Sequence, residues 1–316
     1  MRTPRSLLLP ALLATAGLLV AACGGDDDGA AALGTSSDAI CAPDGPTVVI
    51  GAQNFGESLI LAQVYGQALE EAGCTVRQQA LGGFRDLVFT SFESGEINFS
   101  PEYAASALEF LNGFAGEASG DIGETATKLR AELEGRDLAA LEASPAVDSN
   151  AFVVTAETAQ RLGLNAVSDL TEGLRLGGPP DCADNASCLP GLNTVYGLDL
   201  SSTFIPLDGA GPITVAALDG GEIDVAVLFS TNGVIADRGW VVLEDDRGLI
   251  NADNIIPVVS ASLVEAHGDA FVALINRISA AMDTASLTEL NRQYDIELED
   301  GDVVARNWLT AAGFLS

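Results

Sequence analysis

The chain has 316 residues, about two domains by length, and carries 45 acidic against 14 basic residues for a formal charge of −31. Such a surface, with Lys128 as its one lysine, argues against nucleic acid as a partner, because phosphates need basic patches. It favours the approach of cations, within the limits set by salt screening.

Arg2 and Arg5 precede an apolar stretch, Leu7 to Val20, of signal-peptide length and too short for a comfortable membrane span. Val20-Ala21-Ala22-Cys23 then matches a lipobox. The expectation is a signal peptide over 1–22, lipidation at Cys23, and attachment to the outer face of a membrane. A plain cleaved secretory signal is the alternative. Residues 23–45 contain a Gly/Asp/Ala/Ser-rich run without hydrophobic period and are read as a flexible tether.

Beyond the tether, Thr47 to Ile50 reads as a buried strand, and Glu57 to Ala72 as a helix with apolar positions at Ile60, Leu61, Val64, Ala68 and Leu69. Gly73 ends that helix. Strand 75–81, helix 83–94 and strand 96–100 follow, an alternation that points to parallel sheet covered by helices. The pattern restarts at Ala151 to Val154, with a helix capped by Thr155, strands near 174–177, 203–207, 223–227 and 241–244, and a helix over 213–219. Ser94-Gly95-Glu96-Ile97-Asn98 and Gly220-Gly221-Glu222-Ile223-Asp224 echo each other as equivalent corners of two similar lobes. The last third is helical: Phe271, Leu274, Ile275, Ile278 and Met282 share a face, Ser286 to Glu289 reads as a capping box, and Val303 to Leu309 forms a final amphipathic helix. The reading is a two-lobed α/β chain whose lobes are mixed, mainly parallel sheets with flanking helices. It crosses between lobes near 148–150 and 253–256. Residues 46–148 plus 255–316 form lobe I and 149–254 form lobe II.

Of five cysteines, four remain beside Cys23, and an exterior compartment permits disulfides. Three pairings are open. Cys41–Cys74 and Cys182–Cys188 are favoured, because Cys41 and Cys74 each precede a strand and adjacent parallel strands bring them together, while Cys182 and Cys188 close a short loop. A zinc site is the rival, but the spacing is wrong and His267 is the only histidine. No metal and no cofactor are expected.

Six segments, in order, resemble the glycine betaine/carnitine/choline substrate-binding proteins of ABC importers, over nearly all of 46–316. They are Ile50 to Glu57, Ser94 to Tyr103, Pro179 to Leu192, Val195 to Leu198, Phe229 to Gly233 and Leu243 to Asp246. The resemblance implies a type II periplasmic-binding-protein-like fold with its ligand in the cleft between lobes. A trimethylammonium group has no N–H to donate, so such proteins hold it against aromatic faces. A ligand carboxylate needs a charged or hydroxyl clamp. Position by position, Tyr103 matches a cage tyrosine and Ser106 stands where a clamp threonine is found. Gln53 replaces a lysine, Asn150 a tyrosine, Asn185 an arginine, Phe229 a cage tyrosine and Asp253 a further one. Asn54 and Thr231, beside Gln53 and Phe229, complete the candidate ligand-binding set. Two basic clamps have thus become amides, two aromatic faces are lost, and a carboxylate is gained. These departures favour a cationic or amine-bearing solute, choline-like or an amino-acid derivative, over glycine betaine itself.

No catalytic signature is present: there is no G-x-S-x-G, P-loop or H-E-x-x-H sequence. The first expectation is a monomeric capture protein, not an enzyme, that delivers its solute to an ABC permease with its ATPase. A solute-sensing binding module is the second, and a lipid-anchored enzyme the weakest.

Overall fold

A computed structural model describes residues 40–41 and 44–316; the expected signal peptide, Cys23 and most of the tether lie outside the described residues. The first run of elements is β1 (Val48–Ala52), α1 (Gly56–Glu71), β2 (Val76–Ala80), α2 (Arg85–Ser94), β3 (Phe99–Tyr103), α3 (Ala104–Leu111), α4 (Ile122–Glu134) and β4 (Leu138–Ala140). The second is β5 (Asn150–Val154), α5 (Ala156–Leu162), β6 (Leu176–Gly178), α6 (Leu189–Gly191), β7 (Phe204–Pro206), α7 (Pro212–Asp219), β8 (Val225–Phe229), α8 (Val234–Arg238) and β9 (Val241–Val242). The chain then returns with β10 (Ile255–Ser260), α9 (Ala261–His267), α10 (Asp269–Ala281), α11 (Thr284–Asp295) and α12 (Gly301–Ala311).

The strands make two five-stranded sheets, ordered β2-β1-β3-β10-β4 and β7-β6-β8-β5-β9. Each has two parallel and two antiparallel pairings, so the parallel share is half and smaller than expected. The reason is the crossings: β5 and β10 enter their sheets from the other lobe and pair antiparallel on both sides. Among the described residues no helix is long and apolar enough to cross a membrane.

Local chemistry explains most boundaries. Gly95 takes the left-handed conformation (φ 72°) that stops α2, and Thr155 and Ser260 accept backbone N–H bonds at the starts of α5 and α9. The expected capping box at Ser286 is corrected. Asp283 caps α11 by accepting from the Ser286 N–H, and Glu289 instead holds Arg292. The third strand begins at Phe99, not Glu96, because Gly95 to Asn98 is spent on the turn out of α2.

In the first lobe α1 and α10 to α12 cover one sheet face, where Ile60, Tyr65, Phe99, Phe271 and Leu309 are sealed from solvent; α3 and α4 cover the other through Leu108, Leu129 and Leu133. Sealing both faces is what a βαβ-derived sheet requires. The four cysteines form the disulfides Cys41–Cys74 and Cys182–Cys188, which removes the zinc alternative. The parallel register Val48↔Val76 brings the first pair together.

Candidate functional site

The loops leaving the C-terminal ends of β1, β2 and β3 face loops of the second lobe, the place where α/β folds bind ligands. They enclose a cavity of about 40 Å³ lined by Gln53, Phe55, Phe84, Arg85, Tyr103 and Ser106 from the first lobe. Asp148 and Asp253 line it from the two crossings, and Asn150, Pro179, Asp181, Cys182, Asn185 and Phe229 from the second lobe. The expected residues Gln53, Tyr103, Ser106, Asn150, Asn185, Phe229 and Asp253 therefore share one cavity. Asn54 and Thr231 do not. They line a wider neighbouring groove of about 950 Å³ between the lobes, and the Thr231 side chain is spent on buried hydrogen bonds.

Aromatic faces are more plentiful here than the sequence indicated. Phe55 lies 5.9 Å from the Tyr103 ring centroid and 5.2 Å from that of Phe229, and Phe84 also lines the cavity. Phe55 and Phe84 thus add two rings to the wall that the sequence reading did not name. Both sit a few residues past the ends of β1 and β2, a positional signal that the reading of residues 83–94 as helix concealed for Phe84.

Arg85, the first residue of α2, corrects the expectation of a site without a cation. Its Nε donates to Glu102 Oε2 at 2.9 Å, and Gln53 Nε2 donates to Glu102 Oε1 at 3.2 Å. Burial opposes the Arg85 charge, but Glu102 and then Asp253 outweigh it and hold its pKa above the ordinary value. Among the described residues, neither terminal amino nitrogen of Arg85 has a hydrogen-bond partner. Asp253 accepts from the Ser106 backbone N–H at 2.8 Å and from Ser106 Oγ at 2.5 Å; burial pushes its pKa up and those bonds pull it back. Burial also raises Asp181, against the attraction of Arg85. Asn150 Nδ2 donates to the Ser187 carbonyl, and Asn185 Oδ1 accepts from the Ser187 N–H. Both amides thus organise the loop closed by Cys182–Cys188.

The lobes meet around this cavity. Phe55 and Phe229 touch across it, and Gly209 passes so close to Phe84 that a Cβ would lie 3.0 Å from the ring. Behind the cage, Tyr103 OH donates to Glu57 Oε1 at 2.7 Å, and Thr231 Oγ1 lies 2.6 Å from Glu57 Oε2 and 2.7 Å from Asp148 Oδ1. Among the described residues, no cluster of His, Cys, Asp and Glu is arranged to hold a metal ion.

Known proteins of similar sequence and fold bear on this geometry. The chain is 26% identical over 284 residues to the glycine-betaine-binding protein of Pseudomonas aeruginosa, covering 83% of this chain and 87% of that one. It is 25% identical over 280 residues to the glycine betaine-binding protein YehZ of Escherichia coli, covering 84% and 91%. A crystal structure of a glycine betaine/carnitine/choline ABC transporter protein superposes with a TM-score of 0.66 over 85% of this chain and all of the other, at 23% identity, a likeness of fold. Residues 46–311 match the family described as the substrate binding domain of ABC-type glycine betaine transport systems, and the chain belongs to that family.

Proposed function

We propose that this protein captures a small quaternary-amine or amine-bearing solute between its lobes and presents it to an ABC permease with its ATPase. The observation that carries the reading is the cavity wall: four aromatic rings, from Phe55, Phe84, Tyr103 and Phe229, stand beside the carboxyl groups of Asp148, Asp181 and Asp253. Aromatic faces attract a cation that has no N–H to donate, with about 0.5–2 kcal/mol for each well-placed ring. The carboxylates add long-range attraction and accept from an O–H or N–H on the ligand. Arg85 is the one basic residue in the wall and already serves Glu102, so acidic groups outnumber it. A choline-like cation or an amine-bearing amino-acid derivative fits this balance better than glycine betaine. The free amino nitrogens of Arg85 suit a hydroxyl or carbonyl oxygen at the other end of the solute.

The jaws in this reading are residues 46–148 with 255–316, and residues 149–254. The protein works outside the cytoplasm as a monomer, held to the membrane by a lipid on Cys23. Calorimetry and thermal shift with choline, carnitine, glycine betaine and simple amines test the reading. Stabilisation by choline or amines is expected. Strong stabilisation by glycine betaine alone refutes the cation preference, and no response to any of them refutes the capture of amines.

A further inference from the structure

Beside the aromatic rings lies a polar cluster of which Asp148 alone also lines the cavity, and whose internal hydrogen bonds ligand contact leaves unexplained. Glu57 from α1, Asp148 on the first crossing, Thr231 after β8 and Asn291 on α11 are each at most 4% exposed. The cluster joins the lobes: Glu57, Tyr103 and Asn291 belong to elements around the first sheet, and Thr231 to the second.

Counting hydrogens shows that these groups need one more proton than two carboxylates bring. A threonine hydroxyl has one hydrogen to donate. Thr231 Oγ1 stands between two carboxyl oxygens, Glu57 Oε2 at 2.6 Å and Asp148 Oδ1 at 2.7 Å, and also receives Asn291 Nδ2 at 3.0 Å. It donates to one carboxyl and leaves the other oxygen facing its lone pair. Two bare acceptors at that separation repel each other, so the second carboxyl must carry a hydrogen and donate it to Thr231. The remaining contacts do not supply it. Asn291 Nδ2 donates to Glu57 Oε2 at 2.6 Å, but that hydrogen lies on the Asn291 side and does not separate Oε2 from Thr231 Oγ1. Tyr103 OH goes to Glu57 Oε1, and Asp148 Oδ1 takes the Thr231 N–H at 3.1 Å and Ser230 Oγ at 3.3 Å.

We propose that Glu57 and Asp148 share one carboxyl proton when the lobes are together, and that solute capture therefore takes up a proton. The proposal rests on the capture reading above. When the lobes part, Glu57 leaves Thr231, water reaches both carboxyls and the proton departs. The surroundings agree. Burial pushes the Glu57 pKa up, against hydrogen bonds from Thr231, Asn291 and Tyr103; burial and then the Glu57 charge push Asp148 well above its ordinary value. The other groups facing the pair are also acidic or neutral. They are Tyr103 on β3, Asp253 on the second crossing and Asp295 at the end of α11, the last pushed up to about 6 by burial and the Glu57 charge. The one cation lining the adjoining cavity, Arg85, is bound to Glu102.

The sign follows from linkage. A carboxyl whose pKa is raised in the closed state favours closure at low pH and loses that contribution as pH rises through the closed-state value. Choline binding to the full-length protein, titrated from pH 6 to 9 in buffers of different ionisation heat, should show proton uptake approaching one. Its affinity should fall by up to about tenfold per pH unit in the linked range. Glu57→Gln and Asp148→Asn should each abolish the uptake and flatten the profile. Choline binding without proton uptake, or uptake unchanged in both variants, overturns the proposal. If no amine binds, the capture reading fails separately and infrared spectroscopy still decides the proton. In protein whose scattering dimensions match the joined lobes, a protonated-carboxyl C=O band at neutral pH that is lost in either variant sustains the proposal, and absence of that band overturns it.

Discussion

Gly209 offers a way to separate closure from folding. Its φ lies outside the left-handed region, so substitution there brings no left-handed backbone strain. A Cβ would meet the Phe84 ring at 3.0 and 3.3 Å and the Phe55 Cβ at 3.7 Å, and both side chains belong to the opposite lobe. Valine adds two further methyl groups into a space already tighter than van der Waals contact. Overpacking of this kind costs about 1–3 kcal/mol, but here the clash exists only when the jaws meet. The penalty therefore falls on the closed state and leaves each lobe intact. Converted at about 1.4 kcal/mol per tenfold, Gly209→Val should weaken choline binding by roughly five- to 150-fold. Calorimetry gives the affinity, small-angle scattering the loss of ligand-induced compaction, and thermal unfolding without ligand a midpoint within about 2 °C of the parent. Parent-like affinity, or an affinity loss matched by an equal loss of ligand-free stability, refutes the reasoning.

Asp253→Asn keeps the hydrogen bonds to Ser106 but removes a buried charge from the cavity wall. Cation affinity should drop by about ten- to 150-fold, the 1.5–3 kcal/mol of a charged hydrogen bond converted at about 1.4 kcal/mol per tenfold, and the binding of a neutral isostere should change little, both read by calorimetry. The two disulfides should divide their labour. Cys41–Cys74 spans 33 residues of sequence and Cys182–Cys188 only 6; loop entropy assigns about 4 kcal/mol to the former and about 2 kcal/mol to the latter. Replacing the first pair by serine should therefore cost more in urea unfolding, while replacing the second, whose Cys182 lines the cavity, should cost more in affinity. Asp295→Asn should stabilise the fold at pH 8, because the native environment raises this carboxyl to about 6 and so disfavours its ionised form. The gain, held to under about 1 kcal/mol because solvent screens a side chain that is only partly desolvated, should vanish below about pH 4, where both states are protonated; a gain that persists there counts against the cause given.

What could be read from the sequence followed from how local each signal was. The apolar period of α1 and the glycine after α2 are local, and both elements fall within two residues of their expected bounds. Strand β10 was read only as a crossing. Pro257 in Ile-Ile-Pro-Val-Val argues against a central strand, yet it lies opposite Pro101 of β3, so the two positions that lack an N–H donor face each other in the ladder. Of the expected cavity residues, Gln53, Tyr103, Asn150, Phe229 and Asp253 lie at or within two residues of strand ends, whose position carries meaning in any α/β fold; Ser106 lies in α3 and Asn185 in the disulfide-closed loop. Phe84 and Arg85 were hidden by their place at the start of an amphipathic helix. The Glu57 cluster was hidden more deeply, since Glu57, Asp148, Thr231 and Asn291 are separated by up to 234 residues and only tertiary packing unites them.

The position of β10 has a consequence for biogenesis. This strand is inserted between β3 and β4, and β4 has no other neighbour in its sheet. A chain emerging N-terminus first therefore cannot complete its first sheet until residues 255–260 have appeared, whereas strands β5 to β9 are contiguous and can assemble as soon as they emerge. The segment translated second is thus free to mature first, and the earlier one must wait, unfinished and dependent on whatever shields nascent polypeptide, until synthesis is nearly over.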